Sequence, residues 1–275
     1  MEKTELVLNK ARPAIQITGN PTLLQRKAWN VLLANAYNEL PNMEIHQMQL
    51  SKLADGMAYE SKNIDYFKGL LGGLSECSVE WNVMSQDGKF EWGKAALLAE
   101  VKIKDGVCSY AYSPTMRQYL HNPAIYAKLN LAIQNRFSSK HSLTLWELCT
   151  DYKKVGSTGW IDLDKFKTLL GIGLNIYKQF FKFNAQVIKP AIEEINEKQT
   201  DFLVTVEFER FKRRVSKVRL LIQEKEVATE TLAGQDEKKP VANRKKADPV
   251  CKICSGTGWE FLSSNVTQYC KCTFA

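Results

Sequence analysis

Residues 176–222 read IYKQFFKFNAQVIKPAIEEINEKQTDFLVTVEFERFKRRVSKVRLLI. This stretch predicts a long helix and then a two-stranded hairpin. A helix from near Ile176 to about Lys198 places Ile176, Phe180, Phe183, Val187 and Ala191 on one side, facing a core. Lys178, Lys182 and Lys189 fall in a narrow arc on the opposite side, with Gln186 beside them. Such a front suits a DNA major groove, where amides read base edges and lysines meet guanines or phosphates. Pro190 removes one backbone hydrogen bond and predicts a bend. The hairpin alternates through Phe202, Val204, Val206 and Phe208, then Val215, Val218, Leu220 and Ile222. Between these runs stand Arg210, Lys212, Arg213, Arg214, Lys217 and Arg219, with no acidic residue from 210 to 219. A tip of that charge suits a phosphate backbone. Taken alone, lysines outside an amphipathic helix are its ordinary solvated face. The order decides the reading: a helical pair, a long helix and a cationic hairpin is the order of a winged helix.

Working outward, Ser142 opens a helix bearing Leu145, Leu148, Cys149 and Tyr152. Gly156 and Gly159 turn the chain, Trp160-Ile161 forms a short strand, and Asp162 caps a helix with Leu163, Phe166, Leu169 and Leu170. An earlier region repeats the plan. Asn20-Pro21 starts a helix running to about Asn38, with Leu24, Ala28, Val31, Leu32 and Ala36 on one stripe. A short helix covers about Gln47–Asp55 and Gly56 stops it. Ser61 caps a third helix with Ile64, Phe67, Leu71 and Leu74. Val79, Trp81 and Val83 alternate, Asp87-Gly88 turns, and Phe90 and Trp92 resume the alternation. A second hairpin carries Val101 and Ile103, then Asp105-Gly106, then Cys108, Tyr110 and Tyr112. Residues 1–19 read as an arm or edge strand, and Ser113-Pro114 starts a connecting helix to about Leu120.

The expected fold class is therefore α+β: tandem winged-helix domains, a flexible linker and a small zinc knuckle. Residues 1–121 form the N-terminal winged helix and 122–222 the C-terminal, DNA-binding one. Residues 223–250 form a flexible charged linker, lacking aromatics and containing Pro240 and Pro249. Residues 251–275 form the knuckle.

The chain has 275 residues, a net charge of +8 and 44% hydrophobic residues. No apolar run approaches the roughly 20 residues of a membrane span, and Met1 to Glu5 are not followed by a signal-peptide core. A cytoplasmic protein with an acidic polymer as partner is expected, nucleic acid before membrane.

Seven cysteines are present. Cys77, Cys108 and Cys149 sit among apolar residues as small core side chains. Cys251-x2-Cys254, and Cys270-x-Cys272 fifteen residues on, place four thiolates at the spacing of a structural Zn2+ site, with Ser255-Gly256-Thr257-Gly258 supplying the first turn. Free or redox-active thiols are the other reading. The Cys-x2-Cys-x-Gly-x-Gly string resembles half of the zinc-binding repeat of J-type chaperones, a likeness confined to the knuckle.

No catalytic residue is expected. Residues 88–94 approach a phosphate-binding loop, but Ala95 stands where a magnesium-binding Ser or Thr is needed and the segment reads as a hairpin. His46, His121 and His141 are unpaired at short spacing and read as surface or capping residues. Glu193-Glu194 reads as solvated.

Leu143-Thr144-Leu145-Trp146-Glu147-Leu148, Trp160-Ile161-Asp162-Leu163, Phe166, Leu169-Leu170-Gly171, Tyr177 to Phe183 and Val187 to Asn196 resemble the plasmid replication initiator (Rep) family with two winged-helix domains. The likeness spans roughly residues 6–222, and Pro190 fits the family pattern. It implies binding of double-stranded DNA bearing direct repeats (iterons), opening of an origin, and partners such as a host initiator, helicase or helicase loader in a bacterial cytoplasm. It also implies a monomer that initiates and a dimer that represses its own gene. The family's contacts map here onto Lys178, Lys182, Gln186, Lys189 and Arg210 to Lys217. The linker and knuckle depart from the family core. Two other readings fit the residues: a winged-helix transcriptional regulator binding one inverted site, and a zinc-dependent interaction adaptor of the replication machinery.

Overall fold

A computed structural model of the chain describes residues 6–15, 19–60, 63–84, 90–121, 126–199, 201–225, 259–263 and 266–269. Residues 1–227 form one compact unit and 228–275 a second. The first unit begins with β1 (Val7–Ala11), α1 (Arg12–Ile15) and α2 (Leu23–Ala36). It continues through β2 (Ile45–Gln49), α3 (Leu50–Gly56), α4 (Ile64–Glu76), a hairpin of β3 (Ser78–Met84) with β4 (Phe90–Ala96), and a hairpin of β5 (Glu100–Lys104) with β6 (Val107–Ala111). The connecting α5 (Pro114–Leu120), β7 (Tyr126–Asn130) and α6 (Leu131–Gln134) follow, and β7 pairs antiparallel with β1. The second module comprises α7 (Lys140–Tyr152), β8 (Ile161–Asp162), α8 (Leu163–Leu169), a helical run, and the hairpin of β9 (Phe202–Phe211) with β10 (Arg214–Glu224). The run joins α9 (Phe180–Phe183), a π-turn (Asn184–Ile188) and α10 (Lys189–Lys198).

Two three-stranded sheets, ordered β2-β6-β5 and β8-β10-β9, show the repeated plan. In each, the strand before the helical pair hydrogen-bonds to the second strand of the following hairpin. The expected tandem winged helices are thus present, with β3-β4 as a separate hairpin inserted in the first.

Local chemistry shifted several boundaries. The cap of α2 is Thr22, not Asn20: Thr22 and Gln25 form a reciprocal capping box, which outcompetes a single Asn. Asn20 instead accepts from Lys140 Nζ at 2.6 Å. Residues 47–49, expected as a helix start, belong to strand β2, because cross-strand pairing with β6 overrides weak local preference. Asn63 caps α4; Ser61 lies outside the described residues. His46, expected at the surface, is buried beside Tyr110 and Tyr112, with Nδ1 3.6 Å from the Glu39 carboxylate.

The helical run starts at Phe180 rather than Ile176, and it widens rather than simply bending. Lys189 N–H bonds to Asn184 O, five residues back, in the turn just before Pro190. Proline removes a donor and crowds the carbonyl one turn earlier, and a π-turn relieves that crowding locally. Ahead of the run, Tyr177 takes a left-handed φ of 55°. Lys167 of α8 secures this irregular turn by donating to Ile176 O and Tyr177 O, each at 3.3 Å. Gly171 closes α8 at φ 66°, and a Cβ there would meet Gly19 O at 2.6 Å. Only glycine fits so close a backbone approach.

A buried polar cluster ties α7 to β1, α2 and α6. Glu147 is fully buried and accepts from Lys10 Nζ at 2.9 Å, from the Arg26 guanidinium at 2.6 Å and from Asn30 Nδ2 at 2.6 Å. Asn30 in turn accepts from Lys10 and donates to Gln134. Burial alone would raise the Glu147 carboxyl, but Arg26 and Lys10 outweigh it and hold it at about 2. Burial lowers the Lys10 ammonium to about 8 against the pull of Glu147. The opposite side of α7 packs on α10 and β10.

In the second unit, β11 (Trp259–Ser263) and β12 (Val266–Tyr269) form an antiparallel hairpin with Trp259 opposite Tyr269. Cys251, Cys254, Cys270 and Cys272, and the Arg244-Lys245-Lys246 run, lie outside the described residues.

Candidate nucleic-acid interface

The wing is a ten-residue strand and an eleven-residue strand closed by Lys212-Arg213. Both turn residues are left-handed, at φ 45° and 68°. A two-residue hairpin turn of this hand is cheapest with Asn-Gly or Asp-Gly, so two long cationic side chains sit there at a conformational cost. Farther down, Ser216 is a bulge: Val215 opposes Arg210 while Lys217 opposes Glu209. The extra residue keeps Val215 on the same face as Val218 and Leu220, which the sequence spacing from 215 to 218 had left irregular. Ser216 Oγ donates to Glu209 O at 3.3 Å.

Charge along the wing is graded. Near its base, Lys217 pairs with Glu209 at 3.1 Å, and Arg219 pairs with Glu207 and lies over the Trp160 ring at 4.5 Å. At the tip, Arg210, Lys212, Arg213 and Arg214 are exposed and form no ion pair among the described residues. The six-cation wing of the sequence is thus a four-cation tip above two neutralised pairs. Period-two pairing carried the signal for those pairs, since 207 and 209 oppose 219 and 217.

The helical run lies against the wing. Phe180 packs edge-on against Phe208 of β9 with centroids 4.9 Å apart, and Asn196 clamps Val204 by accepting from its N–H at 2.7 Å and donating to its carbonyl at 2.9 Å. Phe183, Val187 and Ala191 are buried as expected, whereas Ile176 is exposed. Lys182 and Gln186 are exposed on the outer face. Lys178 is exposed but precedes the helix, on the turn. Lys189 follows the π-turn, with Nζ 3.8 Å from Glu193. The straight-helix arc of three lysines is therefore broken at both ends, because neither the left-handed Tyr177 nor the wide turn keeps a 100° step. Glu194 is not simply solvated: its carboxylate accepts from Ser138 N–H and Oγ.

Sequence reading passed over two aromatic rings on this surface. Phe181 is 67% exposed on the first turn of the run, and Phe211 is 66% exposed beside the wing turn, with Lys212 Nζ 5.4 Å from its ring centre. Phe180 and Phe183, beside Phe181 in sequence, read as core, which concealed the outward ring at Phe181. Lys167, which fixes the turn before the helix, was also passed over as part of an amphipathic pattern.

Two family models match in order. "Initiator Replication protein, WH1" matches residues 8–150 and "Initiator Rep protein, WH2" matches residues 162–222. Among solved structures, one described as "Crystal structure of Pi initiator protein in complex with iteron DNA" is similar at 15% identity and a TM-score of 0.57. It covers 82% of this chain and 100% of that one. The crystal structure of domains 2 and 3 of RctB is similar at 10% identity and a TM-score of 0.42, covering 74% of this chain and 82% of that one. No curated protein sequence matches the chain. At 15% identity the first likeness establishes fold; the two family matches, in the order of the two winged helices, establish kinship. The chain belongs to the family of initiator replication proteins, carrying both its WH1 and its WH2 module.

Proposed function

We propose that this chain is a plasmid DNA replication initiator that binds direct repeats (iterons) at an origin, promotes its opening and recruits host replication proteins. The observation that carries the reading is the conjunction of both initiator modules with a rigid pairing of helix and cationic wing in the second. The structurally similar Pi initiator was crystallised with iteron DNA, which supports the same ligand here. Arg210, Lys212, Arg213 and Arg214 supply phosphate contacts and affinity, and Lys217 joins them where phosphate displaces its partner Glu209. Lys178, Lys182, Gln186 and Lys189 supply groove contacts and choose the site. The function is binding rather than catalysis, and the chain has no helix long and apolar enough to cross a membrane among the described residues.

In this reading the protein associates with itself, and the dimer represses its own gene. Host initiator, helicase or helicase loader are the partners at the opened origin. The C-terminal cysteines hold a structural Zn2+. Support comes from their spacing, two close cysteine pairs with glycines after the first. A closed four-thiolate site would stabilise this small unit.

Fluorescence anisotropy on duplexes tiled across the DNA flanking the protein's own gene tests the reading. Tight binding to a set of direct repeats, well above scrambled duplex, is expected. Binding to one inverted promoter site alone would instead establish a regulator.

A further inference from the structure

Resting on the DNA-binding reading above, we propose that Phe181 is a specificity-determining residue that reads a thymine through its C5-methyl group in the major groove. The ring stands 67% exposed on the first turn of the helical run, on the side opposite buried Phe183 and Val187. Its neighbour Phe180 is spent on holding the helix to Phe208 of the wing, so the backbone beneath Phe181 is fixed. Lys182 lies next to it, and Ala185 and Gln186 are exposed one turn on. No acidic residue occurs from Tyr177 to Ile192.

An apolar ring framed by cations and an amide is matched to a polyanion that offers an apolar spot. In the major groove of DNA that spot is the thymine methyl, and phenyl or alanine side chains meet it by simple contact. Lysines beside the ring then take phosphates or guanines, and Gln186 takes an adenine edge. Phe181 and Ala185 form a short apolar strip within a polar reading face, which hydrogen bonding alone would not require.

The test uses the direct repeat that the wild-type protein protects in the DNA flanking its own gene. Each thymine is replaced in turn by deoxyuridine, which removes the methyl and leaves every pairing group in place. At one or two positions the wild type should lose affinity by about fourfold, the equivalent of one buried methyl at roughly 0.8 kcal/mol. Phe181→Ala should bind the thymine duplex more weakly and show no thymine preference at those positions. Phe181→Leu should retain part of it. Thermal melting of both variants should match the wild type, because the ring is exposed.

A Phe181→Ala protein with an unchanged thymine-to-uracil ratio, or a wild type indifferent to every replacement, overturns the assignment while leaving the initiator reading intact. A wild type that protects no repeat overturns both.

Discussion

The two winged helices close their hairpins with the same backbone and different residues. In the first, β5 and β6 turn through Asp105 and Gly106 at φ 50° and 75°; in the second, β9 and β10 turn through Lys212 and Arg213 at 45° and 68°. Asp-Gly is the inexpensive choice for such a turn, and Lys-Arg is not. The helices at the equivalent positions differ likewise. On α4, Lys68 is paired with Asp65 at 2.8 Å and the middle carries Gly69, Gly72 and Gly73, whereas the second module presents Phe181, Lys182 and Gln186. One topology thus carries two tip chemistries. In the proposed reading, the second tip gives up conformational ease for charge that meets a phosphate backbone.

The largest expected effect concerns the buried cluster around Glu147. Glu147→Gln leaves Lys10 and Arg26 buried without their counter-charge. It should lower unfolding stability in urea by about 3–5 kcal/mol. The wild-type contribution has a defined pH window. Because the Glu147 carboxyl is held at about 2 against a usual 4.5, its stabilisation is full above pH 4.5 and is lost as pH falls towards 2. The variant should lack that acid-side loss. Equal acid profiles would show that the Glu147 charge does not stabilise the fold.

Next in size is the wing. Arg213→Ala with Arg214→Ala should weaken binding to repeat and scrambled duplex alike, by roughly ten- to a hundredfold at low salt. Lys102→Ala with Lys104→Ala, at the corresponding hairpin of the first module, should change affinity by less than about twofold, as exposed charges away from the phosphates do. If both pairs cost the same, the modules share the backbone contacts and the comparison fails.

Gln186→Ala should act more narrowly. Affinity for the best repeat should fall by about fivefold or more, with little change on scrambled duplex, because a base-edge contact discriminates and a phosphate contact does not. Equal losses on both duplexes would move Gln186 to the backbone.

Much of this plan was legible in the sequence. Periodicity carried α7, α8 and the first wing strand, whose core residues keep strict spacing, and the second wing strand beyond its bulge at Ser216. Asp105-Gly106 announced its turn by composition, whereas Lys212-Arg213 gave no such signal and was placed only by the alternation on either side. The helix start at Phe180 was not legible, because the left-handed Tyr177 is held by a distant side chain, Lys167. Nor was the π-turn: Pro190 forecast a disturbance without its form. Glu147 read as one residue of a helix, and only the tertiary meeting of β1, α2 and α7 reveals its role. The outward ring of Phe181 was hidden among three phenylalanines whose other members face inward or sideways.

The central claim is that the second wing tip gives up turn chemistry for phosphate contact. Exchanging Lys212→Asp with Arg213→Gly transplants the first module's tip onto the second, and the slope of log affinity against log salt reads the result. The account predicts a melting temperature equal to or above the wild type, with a slope smaller by about two. An unchanged slope in a folded protein would contradict it.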